Sequence, residues 1–468
     1  MNGELHGLEP RSVWKHFEKL LAIPRPSGSE KAAADYIVSV AESLALQWKR
    51  DSMHNVCVYR PGRGKGIVLQ AHTDIVAEKL SGSATDPATD PITAVLRDGW
   101  ITSLETTLGA DNGIGVAIML ALLESPSQSL PPLECLFTVD EERGLVGARL
   151  FPPEWLTQSR LINLDSEEEN SICIGCAGGR DVVLNMELER DREEVQTALL
   201  TVDGLSGGHS GMEIGRGGAN AVRLAARLCR ETGLRVAEFA GGSKHNAIPR
   251  NASVIVAGSV SRKALEGAET MMREEYRGQE ENIRLAFEPA DLRFPLTEDC
   301  SQRLNDLLLA LPHGVEAYSG TVPGLVQTSC NLAIVRTTDS MASITMSVRS
   351  SIDASRDALV ERICSIGRLA GCTEVSGEGY PGWPPNPDSP LLARAVEACR
   401  ASYGDEPSVL AIHAGLECGL IGRRVGGMDM ISMGPDIRDV HIPGERVRVE
   451  SVASFMKMLT MLLKSLAE

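Results

Sequence analysis

Seven acids and histidines, spread over most of the chain, sit at or just beyond apolar runs. Together they constrain the fold more than any other feature of the sequence. They are His72 and Asp74 in GIVLQAHTD, Asp111 in TTLGADNGIG, Glu141 and Glu142 in LFTVDEERG, Asp165 in LINLDSEEE and His441 in RDVHIPGE. The runs at 67–70, 135–139 and 161–164 are short and bounded by turn or polar residues, which predicts buried strands. In open α/β sheets the functional crevice lies at the carboxyl ends of the strands. One topology would therefore deliver these side chains to a single spot.

His441 stands 276 positions beyond Asp165 (441 − 165). For both to join one site, the chain between them must leave the first domain and return. The expected fold is thus α/β, with a discontinuous catalytic domain, a mixed sheet flanked by helices, and an inserted α+β lid. The expected segments are 1–185 and 389–468 for the catalytic domain and 186–388 for the lid. Alternating helix and strand signals support the layered first part. Pro10 opens a helix to about Leu21, and Ser27-Gly28-Ser29-Glu30 has capping-box spacing ahead of a helix to about Leu46. A small apolar helix follows Asp111 over 113–123. The middle predicts strands at 253–260 and 341–348 with helices at 219–231 and 264–274. The end predicts a helix at 391–402, a buried strand at 428–433 and a helix at 449–466, with 381–390 as the linker.

Composition narrows the partners. At 468 residues two or three domains are expected, and 43% hydrophobic with 23% charged residues is ordinary for a globular protein. A formal net charge of -17 argues against a nucleic-acid partner, because phosphate binding needs clustered Lys and Arg. No apolar run approaches the ~18 residues of a membrane span, and the N-terminus lacks a secretory pattern. Eleven scattered cysteines, an odd number, predict no disulfide framework and fit a reducing cytoplasm. Cys173-x-x-Cys176 has no second pair beside it and reads as core packing. GADNG does not match a phosphate-binding loop.

The residue types point to hydrolysis by a metal-activated water. Attack on an amide needs a Lewis acid for the carbonyl, a base for the water and stabilisation of the oxyanion. Two divalent ions at ~3.5–4 Å separation serve the first and third needs. In this reading His72 and His441 supply one imidazole to each ion, Asp111 bridges both, and Glu142 and Asp165 complete the two sets. Zinc fits such donors, and manganese or cobalt would also serve. Asp74, two residues after His72 on an extended segment, can bond the other ring nitrogen and fix the tautomer. Glu141, beside a ligand without being one, is the natural general base.

The strings AHTDIV, TTLGADNGIG, FTVDEERGLVGA, NLDSEEE with GCAGG, GLSGGHSG, NAIPR, RSSID and HAGLECG occur in this order along nearly the whole chain. In them the sequence resembles the aminoacyl-histidine dipeptidases (Xaa-His or cytosolic non-specific dipeptidases). These belong to the co-catalytic di-zinc peptidase family that includes carnosinases and peptidase T. The resemblance implies two metal ions held by His72, Asp111, Glu142, Asp165 and His441, with Asp74 orienting and Glu141 as base. It further implies that His209 reaches the substrate carbonyl, that Asn246 and Arg349 bind substrate, and that Gly415 makes a backbone contact near it. His413 and Glu417 stay undecided. Ala71, the segment 101–105 and His245 depart from the family pattern and bear on substrate preference. The implied substrate is an unblocked dipeptide, Xaa-His among others. A lid that closes over it and also mediates a homodimer is implied too. An N-acyl amino acid deacylase or β-Ala-His hydrolase on the same scaffold is the alternative, and a non-catalytic metal-binding protein a third reading.

Overall fold

The computed structural model describes residues 5–126 and 130–467, which divide into two compact units. The first comprises 1–175, 385–411 and 416–468, and the second 176–384 and 412–415. The first break thus precedes the expected 185/186. The reason is the strand Gly178–Glu187, which pairs along its whole length with Met341–Ser350 in the second unit. The segment expected as a linker is held: the amide of Trp383 donates to the carbonyl of Cys176 at 3.0 Å, and that of Cys176 to Trp383 at 2.9 Å.

In the first unit an eight-stranded sheet runs Gln47–Arg50, Val56–Arg60, Leu133–Thr138, Ile67–His72, Arg160–Asn163, Asp429–Ser432, Ser171–Cys176, Ser408–Ile412. Its centre is parallel, Ile67–His72 lying between Leu133–Thr138 and Arg160–Asn163, with Asp429–Ser432 beyond. The flanks include antiparallel pairs, so the sheet is mixed. Strands at such a centre are covered on both faces, and every residue of Ile67–His72 and Leu133–Thr138 is buried. Ile67, Leu69 and Ala71 enter one core with residues of the helices Arg11–Leu21, Ala110–Leu123, Pro390–Tyr403 and Val449–Leu466. Gln70 and Thr138 point to the other face, where Glu417 opens the helix Glu417–Arg424.

Arg11–Leu21 starts directly after Pro10 and buries Val13, Trp14, Phe17, Leu20 and Leu21, one apolar stripe of helical period. The expected capping box does not form. The helix begins at Lys31 with no side-chain cap. Ser27 Oγ donates instead to Asp74 Oδ2 at 2.7 Å, and Glu30 Oε1 accepts from the amides of Gly28 and Asp140. Both residues serve the neighbouring loops rather than their own helix.

The second unit is built on a nine-stranded sheet whose pairings are antiparallel. Residues of Ala221–Thr232, Glu298–Ala310 and Asp353–Leu369 share its core with Cys330, Leu332, Met346 and Val348. Side chains alternate along a strand, so Ser329, Asn331, Ser347 and Arg349 lie on the opposite face. Among the described residues no helix is long and apolar enough to cross a membrane. The eleven cysteines are all buried, Cys173 and Cys176 included, and none forms a disulfide.

Candidate metal centre

Within the first unit, five chain segments bring six of the seven acids and histidines into contact distance. His72 ends its strand, while Glu141-Glu142 and Asp165 lie just beyond the ends of the two parallel neighbours. Asp111 arrives differently, in a non-helical kink near the start of Ala110–Leu123, and the Asp111–Asn112 peptide is cis. His441 sits at the tip of a hairpin, between Ile437–Arg438 and Arg446–Arg448, that pairs with Trp100–Thr102. Its φ is +63°, and that of Asp140 is +54°. Left-handed backbone at residues other than glycine is costly and gathers at functional sites.

The distances sort the donors. His72 Nε2 lies 3.0 Å from Asp111 Oδ1 and 3.4 Å from Asp165 Oδ1. His441 Nε2 lies 3.0 Å from Asp111 Oδ2 and 3.0 Å from Glu142 Oε1. Asp111 therefore presents one oxygen to each imidazole. One ring N–H cannot satisfy two carboxylates, and Glu142 Oε1, though buried, has no properly aligned hydrogen bond. Donor atoms of His72, Asp111 and Asp165 lie within 4.8 Å of one another, as do those of Asp111, Glu142 and His441 and those of His72, Glu141 and Glu142. Nitrogen and carboxylate oxygen converging from two sides, with buried acceptors left unmet, fit a pair of divalent cations.

A contrasting cluster shows what the absence of such demand looks like. Glu30, Asp74 and Asp140 also bring donor atoms within 4.8 Å. Yet Asp74 accepts from Ser27 and from the amides of Glu141 and Glu142, Glu30 from two amides, and Asp140 from Arg143 at 2.6 and 2.9 Å. Those carboxylates are already satisfied.

Asp74 meets His72 by an atom other than the one expected. His72 Nδ1 is hydrogen-bonded to the Asp74 carbonyl oxygen at 3.2 Å, with carboxylate Oδ1 at 3.4 Å. Either contact puts the proton on Nδ1 and leaves Nε2 to face the cluster. The Asp74 carboxylate reaches instead to the amides of Glu141 and Glu142, fixing their loop. Burial opposes its ionisation, but His72 and these amides hold its carboxyl down to about 2.

Burial pushes the Glu141 carboxyl well above its usual range; His72 opposes this, while Asp165, Glu142 and Glu417 add to it. Its carboxylate accepts no hydrogen bond from the described residues. Burial likewise raises Asp165 to about 6, against the pull of His72. Burial works against the charge on both histidines. The acids nonetheless raise His72 well above an ordinary imidazole and His441 to about 11. Five carboxylates around two imidazoles make a strongly negative pocket, as a dication site requires.

Two residues without a sequence signal hold the ligand loops. Glu445 accepts four backbone amides: Leu108 and Gly109 at 2.8 Å, Ala110 at 2.7 Å and Asp111 at 3.0 Å. It thereby holds the turn that carries Asp111 and ties it to the His441 hairpin. The buried Arg25 donates to the carbonyls of Thr73 at 2.9 Å and Gly109 at 2.8 Å. Glu417 lies beneath: its Oε2 accepts from Gln70 at 2.5 Å and Thr138 at 2.8 Å. Gln70 Oε1 in turn accepts from Asn163 at 2.6 Å, and Asn163 Oδ1 from Ser432 at 2.5 Å. A buried polar chain thus crosses the strands directly below the cluster.

The remaining expected residues belong to the second unit. His209 is half-buried; its Nδ1 accepts from the amide of Gly211 at 3.2 Å, leaving the ring proton on Nε2. Burial, with Arg349 adding, lowers its basicity. Asn246 is tied to the same turn, its carbonyl accepting from the amide of Ser210 at 2.8 Å. Arg349 is buried, with Nη1 donating to Tyr380 Oη at 3.2 Å. Gly415 lies against the Tyr380 ring, where an added Cβ would sit 3.0 Å from Cε2. His413 Nε2 is 2.7 Å from Ser329 Oγ, and burial, then Arg349, push the imidazole down to about 4.

The sequence profile of peptidase family M20/M25/M40 matches residues 68–465. The chain belongs to that family. It is a peptidase, a hydrolase of a metallopeptidase family, and the cluster of acids and histidines offers candidate metal donors. It is 38% identical, over 99% of both chains, to the cytosol non-specific dipeptidase of Escherichia coli (strain K12). It superposes on aminoacylhistidine dipeptidase from Vibrio alginolyticus with TM-score 0.89 at 36% identity, covering 98% of each chain. Aminopeptidase PepT from Bacillus cereus shares the fold at 16% identity and TM-score 0.57, over 98% of this chain and 100% of that one. The resemblance read from the motifs and the expected α/β class both hold.

Proposed function

We propose that the protein is a two-metal dipeptidase that hydrolyses unblocked dipeptides, Xaa-His among them, in the cytoplasm. The observation that carries this is Asp111, whose two oxygens each face a different imidazole, one shared with Asp165 and the other with Glu142. His72 and Asp165 would hold one ion, His441 and Glu142 the other, and Asp111 both; zinc suits the donors, with manganese or cobalt as substitutes. Two such ions polarise the scissile carbonyl and lower the pKa of a bound water.

The chain's own residues do the rest. Glu141, whose carboxylate meets no hydrogen-bond donor among the described residues, takes the proton of the attacking water and passes it to the leaving amine. Asp74 keeps His72 in the tautomer whose Nε2 is free, and fixes Glu141 and Glu142 through their amides. In the second unit His209, with its proton on Nε2, donates to the carbonyl oxygen as it gains charge. Arg349 grips the C-terminal carboxylate, and Asn246 and the Gly415 backbone contact the substrate. The homologous dipeptidases, alike over nearly their whole length, support the substrate class. A homodimer formed through the second unit belongs to the same reading.

The test is Glu141→Ala assayed on Ala-His with metal content measured alongside. We expect kcat to fall by at least about 100-fold with both metals retained, in line with the loss of a general base. Full activity with metal retained removes Glu141 from the mechanism. N-acetyl amino acids assayed beside free dipeptides test the substrate class, and only the free dipeptides should turn over.

A further inference from the structure

One row of residues crosses the sheet of the second unit in register. Ser329 faces Arg349, Arg349 faces Gly179, and Gly179 is bridged to Tyr380. Directly opposed residues of antiparallel strands present their side chains on the same face. Ser329, at one end, holds His413. At the other end glycine supplies no side chain, and the Tyr380 ring fills that gap: a Cβ at Gly179 would lie 2.7 Å from both the ring and its hydroxyl. Gly415 borders the ring as well, at 3.0 Å. The Tyr380 backbone is fixed by a reciprocal pair of hydrogen bonds with Gly179, at 2.9 and 3.1 Å, and by Arg356 donating to its carbonyl at 2.6 Å. The ring therefore reaches across a strand position to Arg349 from a rigid mount.

Arg349 at the centre of this row lacks a counter-ion. It is 6% exposed, its Nε has no hydrogen-bond partner, and no carboxylate among the described residues pairs with it. Asp181, two residues along from Gly179 on the same face, is ion-paired with His245 Nδ1 at 2.9 Å. His413 is kept neutral by burial and by Arg349 itself. A buried guanidinium with no carboxylate hydrogen-bonded to it, Asp181 nearby being taken up by His245, has room for an anion, and a planar carboxylate matches its fork.

The Tyr380 hydroxyl completes the geometry. Its oxygen accepts from Arg349 Nη1. A guanidinium has no acceptor, so the phenolic proton cannot be returned to it. No described residue accepts that proton. An O–H donor stands free beside an unpaired cation.

We propose that Tyr380 is a substrate-positioning residue, its hydroxyl donating to the same terminal carboxylate that Arg349 grips. The pair then selects peptides with a free C-terminus, and the row glycine is what lets the second donor reach it. This rests on the assignment of Arg349 above, and the experiment separates the two.

Wild type and Tyr380→Phe are assayed on Ala-His and on its C-terminal amide, with thermal unfolding checked for each variant. In wild type we expect KM for the free acid to lie well below that for the amide. In Tyr380→Phe we expect KM for the free acid to rise about tenfold, the worth of a hydrogen bond to a charged group, with kcat within about twofold and the amide unaffected. Gly179→Ala, which keeps the hydroxyl but displaces the ring, should give the same acid-specific rise and add nothing when combined with Tyr380→Phe. Equal effects on acid and amide, or none in a folded variant, overturn the role of Tyr380 alone. A wild type that turns over neither peptide, or both alike, overturns the reading of the site and this proposal with it.

Discussion

Glu445 does for the Asp111 loop what no local interaction can. Its single carboxylate takes four successive amides, and its isosteric amide could not, because half of the Gln head group is a donor facing donors. Glu445→Gln should weaken metal binding about 10–100-fold, as loss of a ligand-orienting partner does. Chelator competition reads this directly, and unchanged affinity removes the clamp from the account. Arg25 anchors the same loop from its carbonyl side. Arg25→Met leaves buried groups unpaired and should cost about 3–5 kcal/mol in chemical denaturation. His413 gives a pH signature. Its folded pKa of about 4 lies below that of a free imidazole, so the unfolded chain binds the proton first on acidification. The stability it contributes is complete above about pH 6.5 and is lost toward pH 4, about 3 kcal/mol in all. The pH dependence of unfolding should flatten by that amount between these limits in His413→Asn. None of these contacts is local: Glu445 bonds an amide 334 positions away, Arg25 a carbonyl 84 away. That is why both residues pass unnoticed in the sequence while His72 and Asp111, embedded in apolar runs, do not.

The elements themselves were largely legible, because periodicity is local. Val449–Leu466 falls at its expected bounds, and the strands around His72 and Asp165 match theirs to within two residues. The helix after Asp111 keeps its expected start: Asp111 and Asn112 are non-helical, regular helical backbone begins at Gly113, and Glu445 binds the turn just before it. The capping box fails for a tertiary reason. Ser27 and Glu30 have the right spacing, but a buried Asp74 and the amide of Asp140 compete for them and prevail. Glycine pattern carries another element-level consequence. At Gly115 a Cβ would stand 2.1 Å from Asn112 Oδ1 and 2.7 Å from the Leu164 carbonyl, so Ala110–Leu123 packs on the strand that leads to Asp165 with no room for a methyl group. Gly115→Ala should destabilise by about 1–3 kcal/mol and shift Asp165 relative to Asp111. Calorimetry gives the first effect and metal stoichiometry the second; a variant as stable as wild type would show that the contact yields freely.

At the scale of the molecule, the separation of 276 positions between Asp165 and His441 was the decisive clue to a chain that leaves and returns. It did not foretell the excursion of 412–415, which crosses to the second unit and back within four residues. No composition change marks that segment. Metal removal should be felt by the whole first unit, because the cluster would then hold mutually repelling carboxylates. Chelation should lower Tm by several degrees, with zinc restoring it; a Tm indifferent to chelator would mean the fold bears the bare site unaided. The hairpin of His441 and Glu445 has one more consequence, in time rather than space. At ~5–20 residues per second of synthesis, a ribosome needs roughly 20–60 s to travel from Asp111 to Glu445. Throughout that interval the growing polypeptide has the Asp111 loop without the carboxylate that binds its amides. Premature termination anywhere before residue 441 therefore yields a product that lacks the second imidazole of the cluster and, on the proposed function, peptide hydrolysis.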